Sequence, residues 1–140
     1  MQPAPPLSQV LETSLYVADL ERARAFYEDV MGLRPMMQDT RLTAYPVGPG
    51  SVLLLFQQGT TGRPAPTPGG VIPPHDGTGR LHYAFAISVA ALQAWRTHLS
   101  NHSVAIESEV NWPRGGCSLY FRDPDGNLVE LATPGLWDNY

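Results

Sequence analysis

The amino-acid sequence predicts an α+β fold in which two βαβββ modules pair into a cupped mixed sheet. Three observations favour it. Strand-type and helix-type patterns follow one another in residues 11–58, and the same order recurs in residues 81–133. A Pro- and Gly-rich stretch, residues 59–80, separates the two halves. The length of 140 residues suits a single domain, which would end in a short tail over residues 134–140.

The first module contains the clearest helix. Asp19 is a typical N-cap residue, and apolar residues recur after it at three- and four-residue spacing. Gly32 stands where glycine commonly ends a helix. A strand over residues 11–17 precedes this helix, and we expect three short strands after it, at residues 34–38, 41–47 and 51–57.

The second module repeats this order. We expect a strand over residues 81–87, a helix over 89–100, and strands over 104–107, 118–122 and 128–132. The tetrapeptide Asp123-Pro124-Asp125-Gly126 suits a type I turn between the last two strands. Residues 59–80, which carry His75, are predicted to form a loop, a linker or a lid over a site.

Composition excludes several functions. The chain has no Lys, so its 9 basic residues are all Arg; they face 13 acidic residues, for a net charge of -4. Nucleic acid is therefore not an expected partner, and chemistry that needs a lysine amine is excluded. Cys117 is the single cysteine, so an intrachain disulfide is impossible. Neither a signal peptide nor a membrane span is recognisable, and we expect a soluble cytoplasmic protein.

An alignment of the two halves of the sequence suggests a metal site. One alignment places Glu12 opposite His82, and a second, with a different offset, places Leu54 opposite Glu130. In a symmetric pair of modules, these four positions would face a common centre. Carboxylate and imidazole ligands without a thiolate suit a catalytic Mn, Fe, Ni, Co or Zn ion. His82 can equally be a surface histidine or a hydrogen-bonded core histidine, whereas Glu130 lies inside an apolar run, where an unpaired charge would be costly.

Three segments carry a resemblance to a known family. They are Leu15 to Leu20 with Phe26-Tyr27 and Gly32-Leu33, then His82 to Phe85, then Tyr120 to Leu131. Together they resemble the vicinal oxygen chelate superfamily, which includes glyoxalase I, fosfomycin-resistance thiol transferases, extradiol dioxygenases and bleomycin-binding proteins. The resemblance implies that Glu12, His82 and Glu130 bind a divalent metal, with Glu130 or Glu12 also moving a proton. Glyoxalase I typically has a fourth ligand, a Glu, where this chain has Leu54.

Other residues are candidates for contacts with a small-molecule substrate. We expect Arg114, Trp112, Leu54 and Tyr120 to line the substrate site, with the Arg114 guanidinium available for an anion. Arg114 can equally be a solvated loop residue. His75 is a candidate acid or base because histidine titrates near neutral pH, although a surface turn is as good an explanation.

The resemblance favours a metal-dependent enzyme of the lyase or isomerase type that acts on a small oxygen-rich substrate. A thiol transferase and a ring-cleaving dioxygenase are alternatives; the former would need Arg for a phosphonate, and the latter normally has two His ligands. A different alternative is a metal-free drug-binding protein with an aromatic groove, for which the candidates are Tyr16, Tyr45, Phe56, Trp112, Tyr120 and Trp137. The resemblance also implies a homodimer, in which exchanged modules would bring Glu12 of one chain to His82 and Glu130 of the other.

Overall fold

The computed structural model describes residues 1–140 and contains ten strands and two α-helices. The first module consists of β1 (Glu12–Val17), α1 (Leu20–Ala25), β2 (Met37–Gln38), β3 (Leu42–Pro46) and β4 (Val52–Gln57). A hairpin of β5 (Ala65–Thr67) and β6 (Gly70–Ile72) follows. The second module consists of β7 (His82–Ala86), α2 (Leu92–Asn101), β8 (Ser108–Asn111), β9 (Cys117–Arg122) and β10 (Leu128–Ala132).

Each module forms a mixed four-stranded sheet, with the order β1-β4-β3-β2 in the first and β7-β10-β9-β8 in the second. The first and last strands of each module pair in parallel, and the other neighbours are antiparallel. The prediction of two βαβββ-like modules is therefore confirmed. The two sheets remain separate within one chain, so a single cupped sheet is not formed by hydrogen bonding between β1 and β7.

The first helix begins as predicted. The Asp19 carboxylate accepts a hydrogen bond from the backbone N–H of Arg22 at 3.1 Å. After α1 the chain widens into a π-helical turn over Phe26–Val30, closed by a bond from Met31 N to Phe26 O. Gly32 then adopts a φ of 72°, a left-handed conformation that favours glycine and ends the helix.

Three strand predictions need correction. Residues 59–80 contain the hairpin β5–β6 in addition to loop, and a bond from the Thr67 hydroxyl to Gly70 O closes its turn. The strand predicted over residues 104–107 lies at Ser108–Asn111 instead, because only there does the chain pair with β9. The strand predicted over residues 34–38 is reduced to Met37–Gln38, on the exposed edge of the first sheet.

One hydrophobic core lies between the two modules. Its buried members come from both sheets and both helices, and they include Leu15, Tyr27, Leu55, Leu99, Phe121 and Leu131. In β9 and β10, alternate residues point into this core, which leaves Ser118, Tyr120 and Glu130 on the opposite face of the second sheet. A smaller cluster of Leu42, Ala44 and Phe56 covers the corresponding face of the first sheet. Neither helix is long or apolar enough to cross a membrane.

A buried polar network joins the two modules through this core. The Tyr27 hydroxyl of the first module donates to the Asp123 carboxylate of the second at 2.7 Å, and the Tyr83 hydroxyl donates to that of Tyr27 at 2.8 Å. Asp123 also accepts hydrogen bonds from the backbone N–H groups of Asp125 and Asn127 and from the Asn127 side chain. The charge is thus compensated by donors from both modules.

We expect Tyr27→Phe to destabilise the protein by about 1–3 kcal/mol, because it removes a donor to a buried carboxylate and the acceptor of Tyr83. Urea unfolding at neutral pH measures this change. Tyr45→Phe is a suitable comparison because the Tyr45 hydroxyl donates to Glu28, which keeps its ion pair with Arg24. A loss for Tyr27→Phe no larger than that for Tyr45→Phe would contradict the importance of the network.

The same network predicts a loss of stability at alkaline pH. Burial, reinforced by the neighbouring hydroxyl and carboxylate, raises the pKa of Tyr27 well above its usual range, and burial also raises the pKa of Tyr83. Because both pKa values are raised in the native state, the stability that these hydroxyls contribute is fully present below the tyrosine pKa of the unfolded state, about 10. It is lost as pH rises above that value. We expect the free energy of unfolding, measured from about pH 8 to about pH 11, to fall less steeply with rising pH in Tyr27→Phe than in the parent protein. Equal slopes would refute this assignment.

Candidate metal and substrate site

The structure brings His82 and Glu130 together on the face of the second sheet that points away from the core. Because β7 and β10 are parallel, with Leu128 opposite His82, the Glu130 side chain lies diagonally next to the imidazole. His82 Nε2 and Glu130 Oε1 are 3.2 Å apart. The Glu130 side chain is 6% exposed and that of His82 is 50% exposed, so the pair is buried on one side and accessible on the other.

Both side chains are held by hydrogen bonds at their other polar atoms. His82 Nδ1 lies 2.9 Å from the carbonyl oxygen of Leu128, and a carbonyl only accepts, so we assign the neutral-ring proton to Nδ1. The Ser118 hydroxyl donates to Glu130 Oε2, and the Trp112 indole N–H donates to the Ser118 hydroxyl at 2.8 Å. These contacts leave Nε2 and Oε1 directed at each other.

This arrangement requires a cation. With the proton on Nδ1, both Nε2 and Oε1 present lone pairs, and two such atoms in proximity repel each other unless a proton or metal ion lies between them. Metal bonds of about 2.1 Å separate two neighbouring ligand atoms by roughly 3.0 Å at right angles and 3.4 Å at the tetrahedral angle. The observed 3.2 Å falls between these values, so the two residues fit a divalent metal ion as a ligand pair.

Tyr120 lies next to this pair, with its ring centroid 6.2 Å from that of His82. Burial, together with the Glu130 charge, raises the pKa of the Tyr120 hydroxyl. The hydroxyl therefore stays protonated at neutral pH and can donate a hydrogen bond to an oxygen atom bound beside Glu130.

A cavity of about 1130 Å³ opens above the pair. Its base consists of small residues on β7 and β10, namely Ala84, Ala86 and Ala132, and Trp112 and Tyr120 lie at its side. Two segments outside the sheets complete the wall, Gln9 with Val10 before β1 and Leu136 to Tyr140 after β10. The Tyr140 hydroxyl holds the second segment in place by donating to the backbone oxygens of Ile87 and Ala132.

Three of the predicted site residues are not part of this pair: Glu12 and Leu54 lie in the first module, and His75 lies in the segment between the modules. Glu12 is exposed at the start of β1, and Leu54 packs against the small apolar cluster of the first sheet. His75 Nδ1 is 2.6 Å from the Tyr16 hydroxyl, and its ring packs edge-on against Phe56. No group of three or more His, Cys, Asp or Glu residues suited to a metal ion is formed within the single chain.

Arg114 lies outside the cavity, whereas three of the six residues predicted for an aromatic groove line it. Arg114 is exposed and forms an ion pair with Asp138, and it does not line the cavity. Trp112, Tyr120 and Trp137 do line the cavity. Tyr16 and Phe56 stack on the first sheet, whereas Tyr45 is fully buried in the core and cannot contribute to a groove.

The sequence predicted Trp137 as a groove residue, but it did not indicate Ser118 or the other residues of the two terminal wall segments. Ser118 carried a weak signal, because it lies two residues before Tyr120 in a strand and therefore shares its face. The other residues of the tail carried no such signal, since their position depends on a close backbone crossing. A Cβ atom on Gly135 would lie 2.5 Å from the backbone nitrogen of Gly116.

Comparison with known proteins agrees with this fold. Residues 9–131 match the model of the Glyoxalase/Bleomycin resistance protein/Dioxygenase superfamily, and the chain belongs to this superfamily. A crystal structure of lactoylglutathione lyase from Agrobacterium tumefaciens is similar to it, with 35% identity and a TM-score of 0.85 over 96% of this chain and 99% of that one.

Two further relatives are more distant. The metallothiol transferase FosB of Staphylococcus saprophyticus is 28% identical over 87% of this chain and 74% of its own length. A glyoxalase/dioxygenase from Nostoc punctiforme shares the fold at 23% identity, with a TM-score of 0.66 over 94% of this chain and 98% of that one. The superfamily membership is therefore established, and these relatives include two enzymes named for different reactions.

We expect Ser118→Ala to destabilise the protein by about 1–3 kcal/mol, because Glu130 then keeps a buried charge with one donor fewer. The effect should shrink in a Glu130→Gln background, where no charge remains to be compensated. A double-mutant cycle by urea unfolding measures the coupling, with Ser100→Ala, at an exposed position of α2, as the control. Additive losses would show that the Ser118 hydroxyl does not support Glu130.

Proposed function

We propose that this chain is a divalent-metal-dependent enzyme that acts on a small oxygen-rich substrate in a reaction of the lyase or isomerase type. His82 and Glu130 would hold the metal ion, with Glu12 as the third ligand. The observation that carries the proposal is the distance of 3.2 Å between His82 Nε2 and Glu130 Oε1, two atoms with lone pairs. A hydrogen bond at the other polar atom of each side chain holds the imidazole ring and the carboxylate in place. Mn, Fe, Ni, Co and Zn all accept such ligands.

The third ligand argues for a homodimer. Two protein ligands leave a metal ion poorly held, and catalytic sites normally have three. Glu12 is exposed and lies on the other sheet, so in our proposal a second copy of the chain presents it to the open side of the His82–Glu130 pair. By strand alternation Tyr16 shares the face of Glu12, so the copy that supplies Glu12 would also bring the Tyr16–His75 pair to the site.

A divalent ion bound there would supply positive charge beside the substrate oxygens, where it stabilises negative charge that develops during the reaction. The protein groups divide the remaining tasks. The Tyr120 hydroxyl donates a hydrogen bond to a substrate oxygen, and Glu12, the more exposed carboxylate, is better placed than Glu130 to take up a proton. His75 is a second candidate for proton transfer, and Trp112 with the apolar wall excludes water.

Leu54 limits how far the relatives' reactions apply. An apolar side chain at this position leaves three candidate ligands in the chain, so we do not extend the proposal to the reaction of lactoylglutathione lyase. For a thiol transferase, an anionic substrate would need Arg114, which is paired with Asp138 away from the cavity. Arg114 as a substrate ligand would therefore need a rearrangement of the tail.

A metal-free binding protein is the alternative function. Two features favour it: the cavity is lined mainly by apolar and aromatic residues, and one chain assembles two candidate metal ligands but not three. The two functions differ in one property that is easily measured, the metal content of the purified protein.

Elemental analysis of protein purified without a chelator should find close to one transition-metal ion per chain. Glu130→Gln and Glu12→Gln should each lower metal affinity at least about tenfold, because each removes a charged ligand while keeping its shape. Glu109→Gln, at an exposed position of β8, serves as the control. A metal-free parent protein that also fails reconstitution would reject the enzyme and favour the binding protein.

Mixed dimers test the origin of Glu12. In a heterodimer of one Glu12→Gln chain and one Glu130→Gln chain, exchanged modules would leave one site with both carboxylates intact and the other with neither. Tight metal binding should then return to half of the sites, although both homodimers lack it. If each site were built from one chain, no tight site would return, and a monomer by light scattering would exclude the shared site altogether.

A further inference from the structure

The cavity above His82 and Glu130 contains no side chain with a fixed positive charge. No arginine lines it, and the chain has no lysine. Three arginines of the second module form ion pairs away from the cavity: Arg96 pairs with Glu109, Arg114 with Asp138 and Arg122 with Glu107. The net charge of -4 adds to the negative potential around the site.

The polar groups on the floor of the cavity are concentrated at one place. His82, Glu130 and Tyr120 lie together, and on the same face of their strands the next residues are alanines, Ala84 and Ala86 after His82 and Ala132 after Glu130. Alanine at these positions leaves room directly above the sheet. The wall adds aromatic surface from Trp112 and Trp137 and two uncharged polar residues, Gln9 and Asn139. The cavity thus offers one polar corner beside an apolar floor.

A negative charge on the body of a substrate would be placed at a disadvantage there. No arginine or lysine lines the cavity, so an anionic group away from the proposed metal ion would be desolvated without a cationic side chain to pair with. An uncharged ring system, in contrast, gains from burial against alanine and tryptophan. A hydroxyl on it can donate to Glu130 and accept from Tyr120, whereas a carbonyl can only accept, from Tyr120.

We propose that the substrate of this site has an uncharged aromatic or alicyclic body and an oxygen-bearing head that is directed at Glu130 and Tyr120. Substrates with a negative charge on that body are disfavoured, because the cavity wall offers no arginine or lysine to pair with it. This inference rests on the proposed function for the identity of the site, but it concerns how the cavity wall selects a ligand and is measured on metal-free protein.

The test compares two probes that differ in one charge. Beta-naphthol is a neutral aromatic alcohol, and its ring sulfonate has the same ring and hydroxyl with an added negative charge. Isothermal titration of the metal-free protein should show beta-naphthol binding at least about tenfold more tightly than the sulfonate. Equal binding, tighter binding of the sulfonate, or binding of neither probe would overturn the proposal.

A positive charge introduced into the cavity should weaken the preference for beta-naphthol. Ala84 is exposed and lines the cavity, so Ala84→Arg adds a cation at the floor without entering the core. We expect the sulfonate to gain about three- to tenfold in affinity in this variant. Val89→Arg places the same charge on an exposed position outside the cavity and should leave both affinities unchanged. A similar gain in both variants would assign the effect to net charge and would refute a site at this cavity.

The two proposals fail in different ways. Loss of the metal-dependent function is detected as absence of metal from the parent protein, whatever the naphthols do. Failure of the substrate inference is detected as equal binding of the two probes, a preference for the sulfonate or binding of neither, whatever the metal content. Preference for beta-naphthol in a protein that binds no metal would retain the ligand class and transfer it to the binding-protein alternative.

Discussion

The Asp123 carboxylate is the interaction on which the site depends. It sits at the turn between β9 and β10, where it accepts bonds from Asn127 and from the Tyr27 hydroxyl of the other module. Held in this way, the Asn127 side-chain oxygen accepts from the Leu81 backbone N–H at 2.9 Å, immediately before β7. That bond fixes the register in which His82 lies opposite Leu128, and hence its distance from Glu130. One buried charge therefore ties together the turn, the two modules and the candidate ligand pair.

The second sheet illustrates how a β-sheet can serve two chemistries at once. Alternate residues of β10 enter the common core, and those between them carry Glu130 to the opposite face. The Glu130 carboxylate is buried, but it accepts a hydrogen bond from the Ser118 hydroxyl, which in turn accepts one from the Trp112 indole N–H. In the proposed metal site, such support would orient Glu130 before an ion binds and would reduce the reorganisation that binding requires. The first sheet has no equivalent, because Leu54, Leu42 and Phe56 make its corresponding face apolar.

Local signals in the sequence were sufficient for the architecture. Asp19 and Gly32 marked the ends of the first helix, and Asp123 to Gly126 marked the last hairpin, because caps and turns depend on neighbouring residues alone. The strand after α2 was misplaced because Val104 and Ile106 pack on the core without pairing, and pairing depends on a distant strand. For the same reason Ser118 and most of the tail escaped notice. The structure places His82 beside Glu130, whereas within one chain it does not bring Glu12 to them.

The crossing of residues 116 and 135 has a consequence for comparing relatives. The two backbones touch, with the Gly116 N–H donating to Gly135 O at 3.1 Å, and a Cβ atom on Gly116 would lie 2.8 Å from the carbonyl carbon of Gly135. A side chain at either position would push the tail off the second sheet and open one wall of the cavity. Homologues that retain both glycines are therefore expected to share this wall, and those that have lost one belong to a group with a differently bounded pocket. This pair of positions offers a simple sequence marker for subdividing the superfamily by ligand.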